Sequence, residues 1–199
     1  MKQKSGPLSA AVPSLQKGFT LVELLLTIGI VAVLAVAVII TLNPGELLRQ
    51  SRDSSRISDM STLKTAITTY ITDGGGKAPI GAADTCYAHA SSTLTDCSTR
   101  FAGGGTPALS DSANIDGTGW IPIDFTAMSN NSPIYTLPVD PINNATYFYA
   151  YKADPIQMHF EVNAKMESAR YANGGDGDVE STDGGDNPNL LESGSALNL

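Results

Sequence analysis

From Leu24 to Leu42 the chain runs 19 positions without a charged side chain. At ~1.5 Å per helical residue this stretch is about 29 Å long, close to the ~30 Å hydrocarbon core of a bilayer. It is long enough to cross a membrane as a helix. Asn43-Pro44-Gly45 follows, a turn signal whose proline is unfavourable inside a helix. The pattern then becomes amphipathic. Ile57, Met60, Leu63, Ile67 and Tyr70 recur at steps of three and four, and Leu47, Leu48, Ala66 and Ile71 widen the stripe. Arg49, Arg52, Asp53, Arg56, Asp59 and Lys64 fall mostly on the rest of the wheel, and Asp73 with Gly74-Gly75-Gly76 ends the segment. The pattern predicts one long helix over about 19–72, kinked or loosened near Pro44. Its first half is apolar all round, and its second half presents one stripe to a globular head.

Between Lys77 and Gly119 the periodicity fails and small residues dominate. An irregular loop is expected there, with one short helix around Ser110–Ile115. Alternation then begins. Ile121, Ile123 and Phe125 alternate with Trp120, Pro122 and Asp124, and Tyr147 to Tyr151 form a dense aromatic run. Met158, Phe160 and Val162 alternate with Gln157, His159 and Glu161, the period-two pattern of a half-buried strand. Asp154-Pro155 between the last two segments is a hairpin signal. An antiparallel sheet laid on the amphipathic helix follows, an α+β fold.

Charge sharpens the picture at the N-terminal end. Lys2, Lys4 and Lys17 stand against no acid in residues 1–18, whereas the whole chain carries −8. A basic flank before an apolar span and an acidic body after it place the N-terminus in the cytoplasm and the head outside it. The one carboxylate at the head of the span, Glu23, is expensive in lipid and asks for a partner. Lys17-Gly18-Phe19-Thr20-Leu21-Val22-Glu23-Leu24-Leu25 resembles the class III signal of type IV pilins and type II secretion pseudopilins. The resemblance implies cleavage by a prepilin peptidase between Gly18 and Phe19, methylation of Phe19, and pairing of Glu23 with the terminal amine of a neighbouring subunit. It divides the chain into a leader 1–18, a membrane and filament-core segment 19–43 and an extracytoplasmic head 44–199. The fold implied is pilin-like, a long helix packed on a small antiparallel sheet. Implied partners are further copies in a filament, the peptidase, an inner-membrane assembly platform, and membrane lipid before assembly.

Leu137-Pro138-Val139-Asp140-Pro141 also resembles the segment that precedes the sheet in major pseudopilins, with Ile142-Asn143-Asn144 where that group has Trp-Gly-Asn. Those pseudopilins hold calcium in a C-terminal loop, and Asp176, Asp178, Glu180, Asp183 and Asp186 supply oxygen ligands in the matching region. A solvated acidic tail is the other reading of the same residues. Cys86 and Cys97, in a polar segment outside the cytoplasm, are expected to form a disulfide. His89 and His159 stand apart, with no metal-protease or nucleophile motif around them, so no enzyme is expected. An acidic head argues against nucleic-acid binding. Two function classes remain: a structural subunit of a pseudopilus or pilus, and a minor pilin acting as a binding module at the filament tip.

Overall fold

The structure is a computed structural model that describes residues 18–75, 79–89 and 94–199. The leader, apart from Gly18, lies outside the described residues. The chain divides after Asn43 into two units.

The first unit is α1 (Leu21–Leu42), and the second opens with α2 (Pro44–Tyr70), which continues as a π-helical turn over Ile71–Gly75. The expected single helix is thus two. Asn43 between them sits in the left-handed region, φ 42°. The cause is Pro44, whose ring disfavours helical geometry at the residue before it, and asparagine tolerates the left-handed alternative better than most residues.

Five strands follow: β1 (Thr85–His89), β2 (Thr106–Ser110), β3 (Ala150–Asp154), β4 (His159–Ala164) and β5 (Leu191–Gly194). Their order is β2-β1-β3-β4-β5, with β1 and β2 parallel and every other pair antiparallel. β3 and β4 form the hairpin signalled by Asp154-Pro155, and the Asp154 carboxylate accepts from the backbone N–H groups of Ile156 and Gln157.

The main core lies between α2 and one face of the sheet. Met60, Leu63, Ile67 and Tyr70 meet Tyr151, Phe160 and Val162, joined by Trp120, Ile121, Ile123 and Phe125. The opposite face is covered too. Cys86, Ala88, Leu94, Cys97, Phe101, Phe148 and Ala150 form a second, smaller core. On this side Lys152, Glu161, Asn163 and Glu192 are buried as well. β4 is therefore not half-buried as its alternation suggests: Glu161 and Asn163 are its inward positions on the second side.

Three further expectations change. Trp120–Phe125 is not a strand. Trp120 and Phe125 donate their N–H groups to Ser112 and Ile115, and only an isolated bridge, Asp116 to Asp124, touches the segment. Its alternation reflects burial alone, and Trp120, placed on the polar side by the pattern, is buried with its indole N–H donated to Pro138 O. The aromatic run starts its strand late, at Ala150, because the Asn144 side chain takes the N–H groups of Thr146 and Tyr147 and holds a turn there. Finally, Ser110–Ile115 is no helix. Ser110 ends β2, whose residues pair with β1 from Thr85↔Thr106 to His89↔Ser110.

Candidate functional site

The first candidate site is the start of α1. Thr20 is the N-cap, in extended geometry, and its hydroxyl accepts from Glu23 N at 3.2 Å. Glu23 Oε2 returns the bond, accepting from Thr20 N at 3.1 Å and from the Thr20 hydroxyl at 3.0 Å. This reciprocal box satisfies helix donors that otherwise have no partner. It also gives the charged group of the span two local contacts with its own chain. Phe19 is 85% exposed, and the apolar side chains from Leu21 to Ile39 are exposed along α1. The window Leu21–Ile39 has a mean hydropathy of 2.8 and none of it is buried, so by length and composition it can cross a membrane. Thr27 and Thr41 do not interrupt that surface, because each donates its hydroxyl to a backbone carbonyl of its own helix, Leu24 O and Ala37 O.

The second is an ionic cluster on α2 that the apolar stripe concealed. Asp53 and Arg56 are fully buried. Arg56 donates to Asp53 at 2.7 Å and bidentately to Asp140 at 2.7 and 2.9 Å. Asp53 in turn accepts from the N–H groups of Glu167 and Ser168, and Asp140 from those of Ile142 and Asn143. At the outer end Arg52 grips Glu167 with two bonds, which hold the Glu167 carboxyl below its ordinary range. The Leu-Pro-x-Asp-Pro segment is therefore a clamp: its Asp140 pins the 137–143 loop to α2. The signal was available in the sequence. Positions 53, 56, 60, 63, 67 and 70 make one unbroken three-four stripe, of which 53 and 56 are the polar end.

The five acidic residues of the tail do not gather. Asp178 accepts from the Ser181 hydroxyl and from the N–H groups of Ser181, Gly174 and Glu180, which hold its carboxyl down at about 2. Glu180 is buried against the N–H groups of Met166 and Asn173, and Asp183 accepts from Gly185 and Glu192. Asp176 and Asp186 are exposed. Among the described residues no three carboxylates, histidines or cysteines are placed to hold a metal ion. As placed, Asp178, Glu180 and Asp183 each cap a turn of the tail.

An acid outside that group is the unusual one. Glu192 Oε2 accepts from Asn187 N, while its buried Oε1 meets no donor. Burial, the neighbouring Glu161 carboxylate and the Asp186 charge push its carboxyl up to about 8, and burial raises Glu161 as well. No pattern of alternation announces this pair, because both residues look like ordinary solvent positions.

Cys86 and Cys97 are joined, tying β1 to the loop that carries Phe101. His89 is not isolated: its ring contacts Asn143 and the Asp111 carbonyl. His159 is half-buried opposite Asp154.

Residues 13–39 match the family model of the prokaryotic N-terminal methylation motif. No curated protein and no solved structure matches the chain. The chain thus carries the methylation signal, on a helix apolar enough to enter a membrane and ahead of a separately cored α+β head.

Proposed function

We propose that this protein, which bears the N-terminal methylation signal of type IV pilins and pseudopilins, is a structural subunit of an extracytoplasmic filament. Prepilin peptidase cuts it between Gly18 and Phe19, and the new amine on Phe19 is methylated. The observation that carries this reading is the matched motif with Glu23 at its place in the helix start. Gly18 offers no side chain to obstruct the peptidase, and nothing lies within 4 Å of where its Cβ would be. Before assembly α1 lies in the cytoplasmic membrane with the head outside. On assembly α1 leaves lipid for the filament core, where the apolar surface changes neighbours but stays out of water. Hydrophobic burial then discriminates poorly between registers, and the charge of Glu23, paired with a neighbour's terminal amine, sets the axial position. Buried pairs of this kind give specificity more surely than stability.

Intact-mass measurement of the protein from its native membrane tests the processing step. The expected mass is that of residues 19–199 plus one methyl group; a mature form beginning at Met1 or beyond Leu42 would sink the reading. Glu23→Ala tests the assembly step. The variant should be cut and inserted as before but assemble far more slowly, and filaments forming at the unaltered rate would remove Glu23 from that role.

A further inference from the structure

Beside the second core lies an open cavity of about 480 Å³, within the ~300–1,000 Å³ range of small-molecule sites. Its most buried polar group is Arg100, 5% exposed, whose guanidinium stacks on the Phe148 ring at 3.9 Å. The guanidinium donates to Thr146 O at 3.1 Å and to Asn163 Oδ1 at 3.4 Å, and Asn163 Nδ2 donates back to Arg100 O. The residue is held, yet none of the ion pairs among the described residues includes it. Burial lowers its pKa to about 10, only partly countered by Asp140 and Glu180. Both of those carboxylates have other work, on Arg56 and on the backbone of Met166 and Asn173. A buried cation without a counter-ion is unfavourable, and the cavity is where a counter-ion can reach it.

The rest of the lining agrees. Lys165 brings a second cation, and no acid lines the cavity, in a chain with 20 acids against 12 lysines and arginines. Overall charge repels anions, so the preference must be local, and at physiological salt it acts within a screening length of ~8 Å. Asn187, Asn189 and Thr99 add amides and a hydroxyl, groups that both donate and accept and so suit ligand hydroxyls.

We infer that this cavity binds an acidic saccharide, with a hexuronate carboxylate held by Arg100 and Lys165 and its ring hydroxyls by Asn187, Asn189 and Thr99. A planar carboxylate matches the guanidinium fork better than it matches a point charge. The site is independent of the filament reading, and either can fail without the other.

The test is calorimetric titration of the full chain in detergent micelles with glucuronate, glucose and inorganic phosphate. Glucuronate is expected to bind at least tenfold more tightly than either of the others. Lys165→Gln, at the half-exposed wall, should weaken glucuronate about tenfold, as expected for one lost charge-assisted bond, with the thermal midpoint unchanged. Arg100→Gln should abolish binding; if that variant does not fold, Lys165→Gln and Asn189→Ala carry the test. Absence of glucuronate binding by folded protein, equal binding of glucose or of phosphate, or an unaltered affinity in Lys165→Gln would each overturn the proposal.

Discussion

At the scale of single residues, the head depends on charges placed where the sequence pattern puts apolar neighbours. Arg56 is fully buried between Asp53 and Asp140. Removing Asp140 takes away both bonds of the bidentate pair and leaves Arg56 held by Asp53 and the more distant Glu167. Breaking a buried pair typically costs about 3–5 kcal/mol, and the remaining partners keep the cost at the lower end of that range. Asp140→Ala should therefore lower the thermal midpoint by ~10 °C, given ~2–4 °C per kcal/mol at this size, and should free the 137–143 loop to proteolysis. Replacing Asp59, which is half-exposed and takes only the Tyr149 hydroxyl, should cost much less. Chemical unfolding of the two variants side by side decides it.

Two carboxyls give stability opposite dependences on pH. Glu167, held low by Arg52, adds stability that is present above its ordinary value of 4.5 and is lost as pH falls through its lower folded value. Glu192 is raised from 4.5 to about 8, so the folded state retains a proton that the unfolded state has released. Its contribution is complete below 4.5 and is lost as pH rises towards 8. One pKa unit corresponds to ~1.4 kcal/mol, so even half of that shift amounts to about 2 kcal/mol. Stability should thus be greatest in mildly acidic solution and fall between roughly pH 5 and 8. Glu192→Gln, which keeps the neutral shape, should flatten that fall in a pH series of unfolding curves; an unchanged slope would rule the pair out as its source.

At the scale of elements, the helices were legible in the chain and several strands were not. The stripe of α2 and the uncharged run of α1 repeat over many turns, so a few exceptions do not obscure them. β1 and β2 carry only five residues each, and the inward positions Cys86 and Ala88 are too small to show as an alternation. β3 was recognised three residues early because its aromatic approach, with Phe148 and Tyr149 buried, is not part of the ladder. Of the N-terminal site, Gly18, Phe19 and Glu23 could be read directly; the polar layer on the second face could not, since nothing local marks a glutamate as buried. Within that layer the disulfide has a definite task, to fix the Arg100 loop against β1. In the chain-entropy account a closed loop of this size is worth about 3 kcal/mol. Reduction, or Cys86→Ala with Cys97→Ala, should lower the head's midpoint accordingly, and should expose Phe101 and Phe148 to a fluorescent apolar probe before α2 unfolds.

At the scale of the whole molecule, every described residue of the two cores lies at or beyond Ile57, within the second unit. A chain starting at Pro44 should fold, with the same midpoint as the full protein in detergent. A loss of more than a few degrees would contradict the separation. Such a piece would also reveal how the sheet terminates. β2 and β5 are its outermost members, and a further strand could add to the ladder along their outer backbone groups. Pro107, within β2, has no N–H to offer, and β5 is only four residues long. Short or proline-bearing margins of this kind discourage strand addition from a second molecule. The shortened protein should therefore stay monomeric at high concentration in sedimentation experiments, and the polymerisation proposed above becomes conditional on the segment before residue 44.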